Sequence, residues 1–127
     1  MADAVIFSNL MAHLVERLKA GLTANGYPNV RVGVLADESA TQVILRRDGG
    51  TLRSKTIMTD AIGVNVYAPS YGEAEHLSLL VQALFDDLPD GAPIVDTNPE
   101  ASIQDVSDLK AQRRFLRFAV DHRGTNL

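Results

Sequence analysis

The three histidines are the most versatile side chains for chemistry in this sequence, because it contains no cysteine. His13 and His76 fall on the polar sides of two predicted helices, where a histidine usually contacts solvent. Glu73 precedes His76 by three residues, a spacing at which two side chains on one helical face can share a metal ion. Two ligands are too few for a zinc site, and no HExxH pattern accompanies them. We therefore predict no metal site.

Nucleophilic catalysis requires a nucleophile, a base and an acid within hydrogen-bond reach of one another. The sequence contains no GxSxG elbow or other local nucleophile motif. Gly49 and Gly50 stand among basic residues, as in loops that bind phosphate, but the GxxxxGK[ST] order of a P-loop is missing. We therefore predict no catalytic residues, no cofactor and no enzymatic activity.

Charged residues are divided along the chain. The segment Arg46–Thr56 (RRDGGTLRSKT) and the arginines of the last predicted strand are basic, whereas the region from Asp86 to Asp108 is acidic. Such a division suits the association of unlike surfaces on neighbouring copies. The candidate interface residues are Arg46, Arg47, Arg53, Lys55, Asp86, Asp87, Asp90, Arg113 and Arg117.

Length and composition indicate a single globular domain over residues 1–127. The chain is 46% hydrophobic and 22% charged, and no apolar run approaches the roughly 20 residues that span a bilayer. Its net charge of −4 argues against a general nucleic-acid binder, because phosphate contacts need a positive surface. No basic leader with a cleavage site is visible, so we predict no signal peptide and no membrane association.

The stretch from Thr59 to Leu88 is the predicted centre of the fold. Ile62, Val64 and Val66 alternate with smaller or polar residues, which predicts a strand with one apolar face. From Ala74 onward the apolar residues recur every three or four positions, which predicts an amphipathic helix. Ser70 and Glu73 form a capping box at its start. The strand and the helix each need a partner to bury their apolar faces.

The remaining elements are assigned from the same periodicities. A first helix is predicted from Phe7 to about Asn25, with either Ser8 or Asp3 as its cap. Strands are predicted at Val30–Leu35, Gln42–Arg47, Pro93–Val95 and Arg113–Arg123. The segment Arg46–Thr56 is predicted to be an exposed loop or hairpin tip, and the strands on either side of it to be antiparallel neighbours.

The acidic segment Asp96–Lys110 is predicted to be a long irregular connection with strand character only at Ile103–Val106. Gly124–Leu127 is predicted to be a loose tail. The expected fold is α+β: a mainly antiparallel sheet of four to five strands packed against two helices, in the order α-β-β-β-α-β-β.

Three stretches of this sequence resemble the tail terminator family of long-tailed phages. They are the helix FSNLMAHLVERLKAGL, the strand and helix TDAIGVNVYAPSYGEAEHLSLLVQALFDDL, and the strand RRFLRFAVDHRG. The central motif is a strand entry, an aromatic residue, a small polar turn and an Ala/Glu-rich helix. It comprises Thr59, Asp60, Tyr67, Ser70, Glu73, Ala74 and Glu75. The acidic stretch Asp96–Leu109 departs from the family's pattern.

The resemblance implies a structural virion protein that forms a homo-hexameric ring on the last ring of tail tube protein. The ring would end tube polymerisation and present a docking surface to the head-completion or neck protein. DNA would pass through its lumen without sequence-specific binding. The implied location is the virion tail, assembled in the host cytoplasm.

Two other functions remain open from the sequence. One is a neck or tail completion protein at the head–tail junction, which would share the virion setting. The other is a small enzyme or ligand-binding α+β domain, which would need a pocket where polar side chains converge.

Overall fold

The computed structural model describes residues 4–7, 9–90, 93–106 and 112–126. It has two helices, α1 (Leu10–Ala24) and α2 (Tyr71–Asp86), and a 3-10 turn at Leu88–Asp90. The strands are β1 (Val5–Ile6), β2 (Arg31–Gly33), β3 (Gln42–Leu52), β4 (Ile57–Ala68), β5 (Ile94–Val106), β6 (Gln112–Arg123) and β7 (Thr125–Asn126). The class is α+β, as the sequence predicts. Among the described residues, neither helix is long and apolar enough to cross a membrane.

Five strands form one mixed sheet in the order β2-β3-β4-β6-β5. The pairings β3/β4, β4/β6 and β6/β5 are antiparallel, so the prediction of a mainly antiparallel sheet is confirmed. The short edge strand β2 is parallel to β3, with Arg31 opposite Gln42. The long strand β4 lies at the centre and carries most of the sheet's pairing.

Both helices pack on the same face of the sheet. The four leucines of α1 at every fourth position are buried, and α2 contributes Leu77, Val81 and Phe85. The rings of Phe85 and Phe118 on β6 stack with their centroids 4.1 Å apart. Each fully buried side chain of this size stabilises the fold by about 1.5–3 kcal/mol. The core is therefore a helix-on-sheet layer, as the two periodicities predict.

The caps agree with the predictions for one helix and not for the other. Ser70 caps α2 by accepting from the Glu73 amide at 3.3 Å, which confirms the predicted cap. Helix α1 is capped by Asn9, whose Oδ1 accepts from the Ala12 amide at 3.1 Å, so the helix begins three residues later than predicted. Ser8 and Asp3 lie outside the described residues, and neither is the cap.

The predicted loop Arg46–Thr56 is mostly strand. β3 continues to Leu52, β4 begins at Ile57, and only residues 53–56 form the connecting turn, called the hairpin turn below. A bulge at Asp48 interrupts the register between Arg47 and Gly49. Gly49 has a φ of 138°, a backbone conformation that other residues rarely adopt. The exposed position of the segment is as predicted, but its irregularity is not.

The predicted irregular connection after Asp96 is also a strand. β5 is continuous over 13 residues, with register shifts on both sides of Ala101. It is an edge strand, so Pro99 can be accommodated without interrupting the centre of the sheet. The bulges explain why the sequence lacks a clean two-residue period here. Residues 107–111 lie outside the described residues.

The predicted loose tail is ordered in part. Thr125 and Asn126 form β7, which pairs antiparallel with β1 through Val5 opposite Asn126. Gly124 makes this approach possible, because a Cβ there would lie 2.3 Å from Cγ1 of Val5. Each of these strands is only two residues long, which is too short for its sequence to show a period. They pair because the tertiary fold brings the two ends of the described chain together. Leu127 lies outside the described residues.

Candidate assembly surface

The face of the sheet opposite the helices is called the open face below. Along β4 and β6 every second residue points to the helices and is buried, whereas the alternate residues are only half-buried for most of their length. The half-buried residues of the open face on these strands include Ala61, Asn65, Tyr67, Arg113, Phe115, Arg117 and Ala119. This face combines arginine and aromatic side chains, the types enriched at the centres of protein interfaces.

Two candidate residues of the open face flank a glycine. Arg46 on β3 and Arg117 on β6 are both in register with Gly63 on the central strand. Arg46 Nε contacts Asp48 Oδ1 at 2.5 Å, and this hydrogen bond raises the pKa of Arg46. Arg117 Nε lies 3.6 Å from Oε1 of Glu100. On one side of Gly63, which has no side chain, Arg46 is thus hydrogen-bonded to a carboxylate; on the other side, Arg117 lies near a carboxylate without a hydrogen bond from its Nε.

Arg113 extends the same face toward the far end of β6. It is in register with Tyr67, and its guanidinium carbon lies 5.9 Å from the centre of the tyrosine ring, within the range of a cation–π contact. The Nε atoms of Arg113 and Arg117 are buried and have no hydrogen-bond partner among the described residues. The next residue, Arg114, points to the helix side and lies over the ring of Tyr71 at 4.4 Å.

The hairpin turn carries Arg53 and Lys55. Arg53 Nε donates to Oγ1 of Thr59 at 3.0 Å, and that hydroxyl donates to Asp121 on β6. Lys55 is exposed. The amide of Gly124 donates to the carbonyl of Thr56 at 3.0 Å, which ties the turn to the end of β6. The turn therefore presents two cations from a fixed position.

Arg47 does not share a surface with Arg46. Because consecutive side chains in a strand point to opposite faces, Arg47 points to the helix side of the sheet, where its Nε donates to Oδ1 of Asp60 at 2.6 Å. Oδ2 of Asp60 lies 2.6 Å from Nε2 of His122, and both side chains are at least 98% buried. The Arg47–Asp60–His122 cluster therefore joins a half-exposed arginine to a buried carboxylate and a buried imidazole at the hairpin end of the sheet.

Sequence reasoning missed the roles of Asp60 and His122. The sequence nevertheless indicated that both residues are buried. Asp60 lies two residues before Ile62 on the apolar side of its strand, and His122 lies two residues after Val120 on the apolar side of its own. A charged residue on a buried face must be paired, since an unpaired buried charge is very costly. Which residues pair across strands could not be predicted without the topology.

The acidic candidates lie at the end of α2. Asp86 and Asp87 are exposed, and Asp87 is the C-cap residue. The preceding carbonyl, of Phe85, accepts from Oγ1 of Thr97 at 2.7 Å. Thr97 is in register with Val120, which is in register with Asp60, so α2 ends at the hairpin end of the sheet. Asp90 belongs to the 3-10 turn, and its side chain lies outside the described residues.

The hairpin-turn residues Arg53 and Lys55 and the acidic helix end at Asp86 and Asp87 thus lie at the same end of the molecule. The hairpin turn is on the β3/β4 side of this end, and the acidic helix terminus is in the helix layer. Arg113 lies toward the other end of the open face.

The other two histidines lie apart from this surface. Nδ1 of His76 lies 2.5 Å from the hydroxyl of Tyr27. Burial lowers the pKa of His13, and the positive charge of Arg17 lowers it further by a smaller amount. Among the described residues, no three side chains of His, Asp or Glu are grouped as a metal site would require.

Comparison with known proteins adds no family assignment. No protein-family model matches the chain, and no curated protein matches it.

Proposed function

We propose that this chain is the tail terminator subunit of a long-tailed phage, a structural protein that caps the tail tube as a ring of identical copies. The observation that supports this most directly is the open face. A broad sheet face with three arginines and two aromatic residues, and no helix layer among the described residues, has the composition of an association surface.

Termination follows from a difference between the two faces of the ring. One face complements the end of the tube, and the other lacks the surface that a further tube ring would need. The hairpin turn is the proposed contact with the tube, because Arg53 and Lys55 project there from a turn fixed by Gly124. The exposed Asp86 and Asp87 are the proposed contact with a basic partner surface, either a second copy or the neck protein.

The first test is tail length by electron microscopy after deletion of the gene from its parent phage. Overlong tails without heads are the expected result, because the tube would polymerise past its normal end. Tails of normal length that fail to join heads would instead assign the chain to the neck or tail completion proteins. Intact virions would rule out both functions.

A charge reversal at the hairpin turn tests the proposed tube contact. We expect R53E/K55E to lower the fraction of purified tube ends that carry a cap by about tenfold, since like charges placed opposite each other cost on the order of 1–2 kcal/mol. Arg17→Glu, a reversal on α1 away from the turn, is the matched control. Equal capping by both variants would remove the hairpin turn from the contact.

A further inference from the structure

We propose that copies of this chain join edge to edge, with the second half of β3 in one copy pairing with β5 of the next. This contact rests on the self-association that the proposed function requires, and it names the surface that each copy contributes. The two strands lie on opposite sides of the sheet. A contact between unlike surfaces repeats from copy to copy and can close into a ring.

The second half of β3 is a strand edge without a neighbour. The short strand β2 pairs only with Gln42–Ile44, whereas β3 continues to Leu52. Beyond Ile44, β4 is the only strand among the described residues that pairs with β3. The seven residues from Arg46 to Leu52 are all exposed. An edge strand directs backbone N–H and C=O groups away from its sheet, and these groups can pair with another extended strand.

β5 is the free edge on the opposite side of the sheet. It pairs with β6, and no other strand of the described residues lies beside it. β3 is antiparallel to β4, β4 to β6 and β6 to β5, so β3 and β5 run in opposite directions. Rotation about an axis parallel to the strands keeps these directions. Copies related in this way therefore present β5 of one copy antiparallel to β3 of the next.

The charges of the two edges select this unlike pairing. β3 carries Arg46 and Arg47, and its one carboxylate, Asp48, is hydrogen-bonded to Arg46. β5 carries Asp96 and Glu100 and has neither lysine nor arginine. Pairing β3 with β3 would place cations opposite cations, and pairing β5 with β5 would do the same for carboxylates. Both alternatives are unfavourable, whereas β3 against β5 brings opposite charges together.

The rows of paired residues that cross the sheet give the register of the contact. One row runs from Arg46 through Gly63 and Arg117 to Ala101. Copies in a ring lie at the same height, so where the strands run along the ring axis this row continues into the same row of the next copy. Arg46 is 62% exposed and then lies beside Glu100 of that copy. Within its own copy Glu100 has only a 3.6 Å contact with Arg117, so it can accept from Arg46.

Two exposed apolar side chains meet in the same register. The row of Leu52 passes through Met58 and His122 to Ile94, and Val95 follows Ile94 in β5. Leu52 is 58% exposed and Val95 is 40% exposed. In the proposed contact they come from two copies and shield each other from water. One register thus joins both the opposite charges and the apolar residues.

Cysteine cross-linking tests the pairing, because the chain itself contains no cysteine. Thr51 and Asn98 are exposed, and in the proposed register they are diagonal neighbours about 7–8 Å apart. We expect T51C mixed with N98C and a short bismaleimide, at the highest soluble concentration, to give a cross-linked dimer and nothing larger. Each variant alone should stay monomeric, and the double variant T51C/N98C should give a ladder of larger species. L79C, exposed on α2, is the control and should not cross-link to T51C.

A charge swap tests the register in the same assay. Glu100→Lys in the N98C chain should lower the dimer yield roughly fivefold, because it places a cation opposite Arg46. Adding Arg46→Glu to the T51C chain should restore the yield. An unchanged yield with E100K, or no recovery with R46E, overturns the proposed register.

The pairing itself is overturned if the mixture gives no dimer, if T51C or N98C cross-links alone, or if L79C replaces N98C without loss. These outcomes are distinct from those of the tail-length test. Cross-linking by a chain whose deletion leaves virions intact supports the strand pairing and rejects the tail function. Overlong tails without cross-linking reject the strand pairing and support the tail function.

Discussion

At the scale of single residues, the hairpin depends on two adjacent glycines with different roles. Gly49 provides the positive φ that follows the bulge. Gly50 provides space, because a Cβ there would lie 2.3 Å from Oδ1 of Asp60 and 2.7 Å from Nη2 of Arg47. The glycine pair that resembles a phosphate loop in sequence thus accommodates a carboxylate of the chain itself.

Gly50→Ala is expected to destabilise the protein by about 2 kcal/mol, because the new methyl group displaces the ion pair from the buried carboxylate of Asp60. Gly72→Ala is the control, since a Cβ at Gly72 meets nothing within 4 Å and lies in the first turn of α2. It should leave stability within about 0.5 kcal/mol of wild type or raise it. Urea unfolding of the three proteins measures this, and equal stability of G50A and G72A would contradict the steric argument.

His13 should make stability depend on pH. Burial lowers its pKa in the folded chain below the ordinary value of 6.5. The unfolded chain then binds more protons just below pH 6.5, so the free energy of unfolding falls as the pH is lowered through this window. His13→Gln should reduce this pH dependence between pH 7.5 and 5.5. An imidazole titration by NMR with a midpoint at or above 6.5 would contradict the prediction.

At the scale of secondary-structure elements, each helix starts at a single polar residue. Asn9→Ala should cost about 1 kcal/mol in unfolding free energy, because the amide of Ala12 loses its acceptor. Asn29→Ala, in the exposed turn before β2, is the control and should have little effect. A loss of less than about 0.3 kcal/mol at Asn9 would mean that water replaces the cap without penalty.

The sequence correctly predicts the elements whose apolar residues recur at a regular interval. The alternation from Ile62 to Val66 and from Leu116 to Val120 predicts two strands, and both occur, as β4 and β6. Both ends of β5 were predicted as strand, and only its middle was predicted to be irregular, because the bulges there shift which side chains face the core. The strand segment beyond Arg47 was missed because glycines and exposed polar residues do not mark a strand.

The candidate site follows the same division. Sequence correctly identifies Arg53 and Lys55 as exposed, since they lie in a polar segment of turn-forming residues. Alternation along the predicted strand places Arg46 and Arg47 on opposite faces, but only the pairing of β3 with β4 brings Arg47 to Asp60. The Arg47–Asp60–His122 cluster joins three strands whose neighbours are set by topology, and no local pattern reports that.

At the scale of the whole molecule, the open face must be covered if the chain forms a ring. Phe115→Glu should abolish self-association in sedimentation velocity while leaving the circular dichroism spectrum unchanged, because Phe115 points away from the core. Leu79→Glu, an exposed apolar residue on α2, is the control and should associate as wild type does. Loss of association in L79E but not in F115E would place the contact on the helix layer.

The pairing of β1 with β7 also determines the order in which the chain can fold. Val5 is among the first described residues and Asn126 is the last, so this contact closes a loop of almost the entire sequence. During synthesis, β1 must remain unpaired until the ribosome has released β7, whereas α1, β2, β3 and β4 can associate earlier. Phe7 lies next to β1 and covers His122. The ring contact between Phe7 and His122 therefore forms only once β6 and β7 have been synthesised.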